Sequence, residues 1–356
     1  MPIIKKFIKY GLLKESQLEY NTPILPVKKA DGKNYRLVQD LRAINQIIQD
    51  IHPVVANPYT LLTTINENQE WFTVIDLKDA FFCIPLEQES QNIFAFEWED
   101  PEMGCKSQYT WTVLPQGFKN SPTIFGNQLA KELETWKRKH KTGTVLQYVD
   151  DIFIATVTWE ECLQLTIDLL NFLGLNGYRV SKEKAQITQE SVKYLGFELL
   201  KGQRRLSTER KEAICQLPEP QNAHELRTFL GIVGWCRLWI ANYGLIVKPS
   251  YELLKNSPPE HLEWDDSTRN AFKQLKRTLM KAPALGLPDL TKTFELFVHE
   301  QQAVALGVLS QMLGGNRHTV AYFSKQLDNT SKGWPGCLRA VAATVLLIQE
   351  AQKLTL

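Results

Sequence analysis

Tyr148-Val149-Asp150-Asp151 sets two adjacent acids between two apolar, β-rich runs, Thr144 to Val149 and Ile152 to Val157. Such a pair belongs at a hairpin turn. Carboxylates beside apolar strands are costly unless a cation or solvent receives them. Neighbouring side chains in an extended chain point opposite ways, so only one can face a given metal fully. A third carboxylate must come from elsewhere, and Asp76, at the end of the β-rich run Trp71-Phe72-Thr73-Val74-Ile75, is the natural candidate. Acids on neighbouring strand ends make an oxygen-lined site suited to Mg²⁺, which keeps few protein ligands and leaves room for phosphate oxygens. Two such ions about 3.5–4 Å apart activate an attacking hydroxyl and stabilise a leaving pyrophosphate. A solvated Asp-Asp turn is the competing reading, and the pair alone does not decide, because short motifs often match by chance.

The elements that must position these acids can be read from the flanking pattern. Ala30-Asp31-Gly32-Lys33 predicts a hairpin turn between Ile24–Val27 and Tyr35–Val38, Asp-Gly being the strongest short turn signal. Ser121-Pro122 predicts a helix start, with Ser as N-cap and Pro at N1. Phe125, Leu129, Leu133 and Trp136 then share one helical face. Thr158-Trp159-Glu160-Glu161 predicts a capping box opening an amphipathic helix that carries Leu163, Ile167, Leu170 and Leu173 and ends near Gly174 and Gly177. Two strands are expected around Lys201-Gly202, one through Tyr194-Leu195-Gly196-Phe197 and one near Arg204–Leu206. Residues 207–285 read as helices separated by Pro218, Pro220, Pro249, Pro258 and Pro259. Strands return at Phe294–Val298, Val304–Leu309 and Val320–Phe323, and an apolar helix closes the chain over 337–354.

The chain has 356 residues, enough for two to four units of the usual ~100–150 residues. Hydrophobic residues make up 44% and charged residues 22%, an ordinary globular balance that excludes wholesale disorder. The formal net charge of +2 comes from 41 Lys and Arg against 39 Asp and Glu. That balance neither demands nor excludes nucleic acid, since local distribution decides. The six cysteines form no Cys-x-x-Cys pair, which argues against a zinc or redox motif and for a reducing compartment. No apolar run of about 18 residues predicts a membrane span, and the N-terminus lacks the apolar core of a signal peptide. An intracellular location, cytoplasmic or within a virion, is the expectation.

The acidic pair stands among several longer motifs in a fixed order. These are Val38-Gln39-Asp40-Leu41-Arg42, Val74-Ile75-Asp76-Leu77-Lys78-Asp79-Ala80-Phe81-Phe82, and Leu114-Pro115-Gln116-Gly117-Phe118-Lys119-Asn120-Ser121-Pro122. Tyr148-Val149-Asp150-Asp151 and Tyr194-Leu195-Gly196-Phe197 follow. Together they resemble the retroviral reverse transcriptases, and most closely the gammaretroviral group, the murine leukaemia virus type with its endogenous relatives. The likeness continues through Leu230-Gly231 and Arg237-Leu238-Trp239 to Ala282-Pro283-Ala284-Leu285-Gly286-Leu287-Pro288.

The resemblance implies an α+β right-hand polymerase fold of fingers, palm and thumb, followed by a partial ribonuclease H-like connection domain. The implied divisions are fingers 1–51 and 84–120, palm 52–83 and 121–201 (with the primer-grip hairpin), thumb 202–287 and connection 288–356. The likeness begins inside the fingers and stops inside the connection, so shortened fingers and no following ribonuclease H domain are expected. It implies an RNA- and DNA-directed DNA polymerase that uses two Mg²⁺ ions, with Mn²⁺ as a substitute. Asp76, Asp150 and Asp151 match the metal-binding carboxylates. Lys29 and Arg36 match residues that clamp the triphosphate of the incoming dNTP, a task suited to a bidentate Arg fork beside a Lys point charge.

Asp79 and Ala80 match positions whose backbone amides meet the triphosphate, and Gln116 matches a nucleotide and template contact. Phe81 matches the ring that excludes ribonucleotides by occupying the place of a 2′-OH. Tyr148 and Val149 match positions beside the primer end, and Tyr194, Leu195 and Gly196 the hairpin that holds it. For each of these residues taken singly, a core or surface role is the competing reading. Lys201, Arg204, Arg205, Arg210 and Lys211 form a basic segment that could meet duplex phosphates or be a solvated face. His299 follows Leu296-Phe297-Val298 where a carboxylate would be needed, so no ribonuclease H site is expected. The implied partners are RNA and DNA template–primer and dNTPs, no membrane, and the ribonuclease H and integrase domains of a parent polyprotein. The alternative is a catalytically inactive endogenous fragment that only binds nucleic acid or protein.

Overall fold

The computed structural model describes residues 2–28, 32, 35–52, 58–100, 104–258, 260–313 and 315–355. They fall into two compact units. The first holds residues 1–56, 73–154 and 163–187, and the second holds residues 57–72, 155–162 and 188–356.

The first unit opens with α1 (Pro2–Lys9), β1 (Leu13–Ser16), β2 (Ile24–Lys28), β3 (Tyr35–Gln39) and α2 (Arg42–Ile47). β2 and β3 pair antiparallel from Ile24 with Gln39 to Lys28 with Tyr35, the hairpin that Asp-Gly predicts. Its tip, residues 29–31 and 33–34, lies outside the described residues. After α3 (Pro58–Leu61), a single turn of the second unit, come β4 (Trp71–Asp76), β5 (Phe96–Glu99) and β6 (Lys106–Trp111). β6 lies between β1 and β5. Gln39, buried, locks β3 to this sheet. Its Nε2 donates to the Phe94 carbonyl at 2.9 Å, and its Oε1 accepts from Trp111 Nε1 at 2.8 Å. A buried amide is tolerated only when so satisfied.

The sheet that carries the acids is built from β4 with β7 (Thr144–Tyr148), β8 (Asp151–Thr156) and β9 (Gln186–Gln189), in the order β7-β8-β4-β9. α4 (Ser121–Lys137) and α5 (Trp159–Leu175) pack on it. Phe125, Leu129, Leu133 and Trp136 of α4 are all buried, as their spacing predicts. The cap differs: Asn120 holds the N-cap position, and Ser121 is already helical. Ser121 Oγ instead donates to the Pro115 carbonyl at 2.9 Å, while Asn120 bridges to Ile51 N and Gln49 O. Tertiary partners have claimed both side chains.

The buried face of α5 also differs from the sequence reading. Cys162, Leu165, Leu169 and Leu173 turn inward, whereas Ile167 is 44% exposed. The helix offers two apolar stripes, and the period alone cannot say which one meets the sheet.

In the second unit β10 (Val192–Tyr194), β11 (Phe197–Leu200), β12 (Gln203–Arg205) and β13 (Leu285–Gly286) form a sheet in that order. The expected single strand through Tyr194-Leu195-Gly196-Phe197 is in fact a two-residue hairpin. Tyr194 pairs with Phe197, and Leu195 and Gly196 lie at φ +50° and +80°, the left-handed pair such a turn requires. Helices α6 (Thr208–Gln216), α7 (Ala223–Trp235), α8 (Tyr243–Asn256) and α9 (Asp266–Met280) follow. Pro249 lies inside α8 and does not separate two helices; the helix continues with one backbone donor fewer. β14 (Phe294–Gln301), β15 (Val304–Leu313) and β16 (Asn316–Gln326) make an antiparallel sheet. α10 (Asn329–Lys332), a single turn, then leads to α11 (Gly336–Thr355), which packs against all three strands. α11 approaches so closely that a Cβ on Gly307 would lie 2.6 Å from Leu347 Cδ1.

The inward stripe of α5 predicts opposite outcomes for neighbouring truncations. Leu169→Ala should destabilise by about 2–5 kcal/mol, while Ile167→Ala should stay within about 0.5 kcal/mol. Urea midpoints check this, and equal losses would refute the assignment of faces.

Candidate active site

Asp76 ends β4, Asp151 begins β8, and Asp150 lies in the turn before it. β8 and β4 are adjacent, so the three acids share one end of the sheet. Leu77 N donates to the Asp150 carbonyl at 3.1 Å, tying the end of β4 to the acidic turn. The Asp76 carbonyl accepts from Ser181 N at 2.9 Å. The turn is strained: Val149, a β-branched residue, lies at φ +54°, a conformation such residues rarely adopt. Strain of this kind costs about 1–3 kcal/mol and persists only where the surroundings impose it. Gln147 is part of that imposition. Its Nε2 donates to the Val149 carbonyl at 3.1 Å and to the Gly126 carbonyl of α4 at 3.0 Å.

The proximity of the acids has an electrostatic consequence. Burial pushes the Asp151 carboxyl up to about 6, with the charges of Asp150 and then Asp76 adding to the shift. Asp150 is raised chiefly by burial, and next to it Asp76 also pushes upward. Lys184 opposes both shifts. Its Nζ lies 3.0 and 3.2 Å from the two Asp76 carboxylate oxygens. Neither Lys184 nor Gln147 carries a motif signal from its neighbours in sequence; Lys184 is 108 residues from its partner.

Three carboxylates, two of them half-buried and held above their ordinary range chiefly by burial, with neighbouring acid charge adding to it, are a donor set that suits a hard divalent cation. Among the described residues, no three acidic, imidazole or thiol groups already converge in chelating geometry. Lys184 draws Asp76 toward itself, so a cation would have to take its place on that carboxylate.

A second group of the expected site residues meets at a cavity of about 80 Å³. Arg36 of β3, Asp79 and Gln116 line it, together with Phe7, Tyr35, Phe82 and Trp111. Asp79 is itself left-handed, at φ +53°. Ala80 is buried, and Phe81 meets the Phe125 ring edge-on at 6.0 Å. Phe82 reaches the cavity wall, and it stacks on Trp111 at 5.2 Å. Sequence reasoning did not single out Phe82, Trp111 or Tyr35. Lys29 lies outside the described residues.

In the second unit Tyr194 is buried, so of its hairpin only the Leu195-Gly196 turn projects. The basic segment after it is less available than its composition implies. Arg204 is fully buried, with Nη2 donating to the Val320 carbonyl at 3.2 Å, and is no phosphate contact. Arg205 forks onto Glu198 and Lys201 pairs with Glu70. Glu300 pairs with Arg339 at 3.2 Å.

Residues 27–199 match the family model described as reverse transcriptase (RNA-dependent DNA polymerase). Residues 264–356 match that of an RNase H-like domain found in reverse transcriptase. The Pol polyprotein of Feline endogenous virus ECE1 is 50% identical over 355 residues, 100% of this chain and 34% of that polyprotein. The Gag-Pol polyprotein of Feline leukemia virus is likewise 50% identical over 355 residues, 100% of this chain and 21% of its own length. The chain thus carries a reverse transcriptase domain followed by an RNase H-like domain, and over its whole length it is similar to gammaretroviral Pol polyproteins. It spans about a fifth to a third of the length of these curated relatives.

Solved reverse transcriptase structures share its fold. The foamy viral protease–reverse transcriptase in complex with dsDNA has a TM-score of 0.89 at 28% identity, covering 99% of this chain and 71% of that one. The same viral protein in complex with RNA/DNA hybrid has a TM-score of 0.83 at 27% identity, covering 99% of this chain and 46% of that one. Among the described residues, no helix is long and apolar enough to cross a membrane.

The raised Asp151 value gives a pH signature. Because the folded value of about 6 exceeds the unfolded value of about 3.9, the neutral acid favours the fold. This stabilisation is full below about pH 4 and is lost as pH rises through about 6. Without divalent cations, Asp151→Asn should therefore melt above wild type at about pH 7.5, and the gap should close at about pH 4. Thermal melts at both values check this, and an unchanged gap would refute the raised value of Asp151.

Proposed function

We propose that this reverse transcriptase domain is an active RNA- and DNA-directed DNA polymerase that adds dNTPs to a primer 3′ end. The observation that carries the reading is the under-neutralised acid cluster at one end of the β4–β8 sheet. The cavity that gathers Arg36, Asp79 and Gln116 supports it.

In this reading Asp76, Asp150 and Asp151 hold two divalent cations, Mg²⁺ with Mn²⁺ as a substitute, and Lys184 yields Asp76 when they bind. When bound, the metal supplies Lewis-acid activation of the primer hydroxyl and stabilises the leaving pyrophosphate. The strained Val149 turn keeps Asp150 and Asp151 in place before the cation arrives, which limits reorganisation during reaction.

Arg36, with Lys29, receives the triphosphate of the dNTP, and the backbone amides at Asp79 and Ala80 complete that cradle. Gln116 orients the nucleotide against the template. Phe81, pinned on Phe125, is the ring that a ribose 2′-OH would strike. Tyr148 and Val149 border the primer end, and the Tyr194-Leu195-Gly196 hairpin holds it.

The domain assignment belongs to the same reading: fingers over 1–51 and 84–120, palm over 52–83 and 121–201, thumb over 202–287, connection over 288–356. The partners that follow are RNA and DNA template–primer and dNTPs, with ribonuclease H and integrase domains in a parent polyprotein. A second reading, nucleic-acid binding without catalysis, draws on the hold of Lys184 on Asp76.

Primer extension on an RNA template separates the two. Wild type should extend only with Mg²⁺ or Mn²⁺, and Asp150→Asn should fall at least about a hundredfold. Equal extension by wild type and variant would sink the polymerase reading. Phe81→Ala should lower discrimination against rNTPs by roughly 10- to 200-fold, measured as a ratio of kcat/KM values.

A further inference from the structure

The Tyr194–Phe197 hairpin is fastened from outside its own strands. The Gly196 carbonyl accepts from Arg210 Nη1 at 3.2 Å. Arg210 sits in the first turn of α6, whose cap Ser207 accepts from the Arg210 backbone N–H. The guanidinium lies over the Trp235 ring of α7, 3.9 Å from its centroid. Phe197, the residue that closes the hairpin, packs across two tryptophans. It stacks on Trp235 at 4.7 Å and 14°, and on Trp239 at 5.2 Å and 28°. Arg204 covers Trp239 from 5.4 Å. Three nearly parallel rings thus lie between two guanidinium groups, one of them fully buried.

An ordinary two-residue hairpin needs no such support, because its outer carbonyl can be left to water. Here that carbonyl is held by a charged donor, and hydrogen bonds to ions are the stronger class. The donor is in turn held by a face-on cation–π contact, worth roughly 0.5–2 kcal/mol depending on desolvation. The packing leaves no slack: a Cβ on Gly196 would lie 3.0 Å from Arg210 Nη1 and 3.5 Å from Trp235 Cη2. The Leu195–Gly196 turn therefore has its direction set by α6 and α7 as well as by the β10–β11 ladder.

We propose that Arg210 is a positioning residue for nucleotide addition, clamping the Leu195-Gly196 turn onto Trp235 so that the primer terminus is presented in one direction. This rests on the reading that the hairpin holds the primer. Arg210 does not touch the reacting atoms. It acts through the turn, so its loss should spoil alignment more than affinity, and small misplacements are expensive in rate.

The test uses the full chain with a labelled DNA primer on an RNA template, in wild type, R210A and R210K. For R210A the duplex Kd should change by less than about twofold, while single-turnover incorporation falls about tenfold or more. Amide exchange at Leu195–Phe197 should accelerate about tenfold. R210K keeps a cation over the ring and a donor near Gly196 O, and should recover most of both losses. Wild-type incorporation in R210A, a rate loss wholly matched by Kd, or R210K no better than R210A would each overturn the proposal. If wild type itself incorporates nothing, the polymerase reading has failed separately. The exchange measurement then still decides the clamp, which falls if R210A exchanges like wild type.

Discussion

The fold is organised around carboxylates that it half-buries. Asp150 and Asp151 are half-buried at the end of a sheet whose central strands are almost wholly apolar, with Phe72, Ile75, Ile152 and Phe153 excluded from water. Bringing Asp76 to the same end makes each charge harder to keep. Nothing about local propensity favours that arrangement. It stands because the surrounding core is large enough to carry it: α4 and α5 close over the sheet with Phe125, Leu129, Leu169 and Leu173 completely buried. The packing energy of those helices offsets the electrostatic cost, and the cost is what makes the site ready for cations.

Part of the backbone strain falls on the same motifs. Asp79, Val149 and Leu195 take left-handed conformations without being glycine and lie in motifs tied to the candidate site, whereas Thr188, Asn242, Gln302 and Ala303 do so elsewhere. Each of the first three also has a neighbour that fixes it. Gln147 holds the Val149 carbonyl, Phe82 N bonds back to the Asp79 carbonyl at 2.9 Å, and Arg210 holds the Gly196 carbonyl, one residue past Leu195. Strain at a site persists when surrounding contacts over-determine it, and these three turns each show the contact responsible.

Much of this was legible in the sequence, and the boundary of legibility is physical. The acids, the pairing of β2 with β3 and the inward face of α4 follow from turn chemistry and helical period, which act over a few residues. The true partner of Asp76, the cap of α4 and the burial of Arg204 are set by contacts between residues distant in sequence. Lys184 reads as one more surface lysine until the fold brings it to Asp76. Arg204 reads as part of a basic patch until Trp239 and the Val320 carbonyl receive it. α5 shows a subtler limit: its period marked the stripe of Leu163, Ile167, Leu170 and Leu173, but the sheet takes Cys162, Leu165, Leu169 and Leu173. Phe82 was hidden for a similar reason: it adjoins Phe81 in one motif, and only the fold sends Phe81 to Phe125 and Phe82 to the cavity.

Gln147 has a mechanical meaning that its hydrogen bonds alone do not state. It joins the carbonyl of the strained turn to that of Gly126, inside a seventeen-residue helix. A hairpin tip normally vibrates as the free end of two strands. This one is braced at its apex against a stiff rod, so the thermal amplitude of the acid pair is tied to that of α4 rather than to that of a loop.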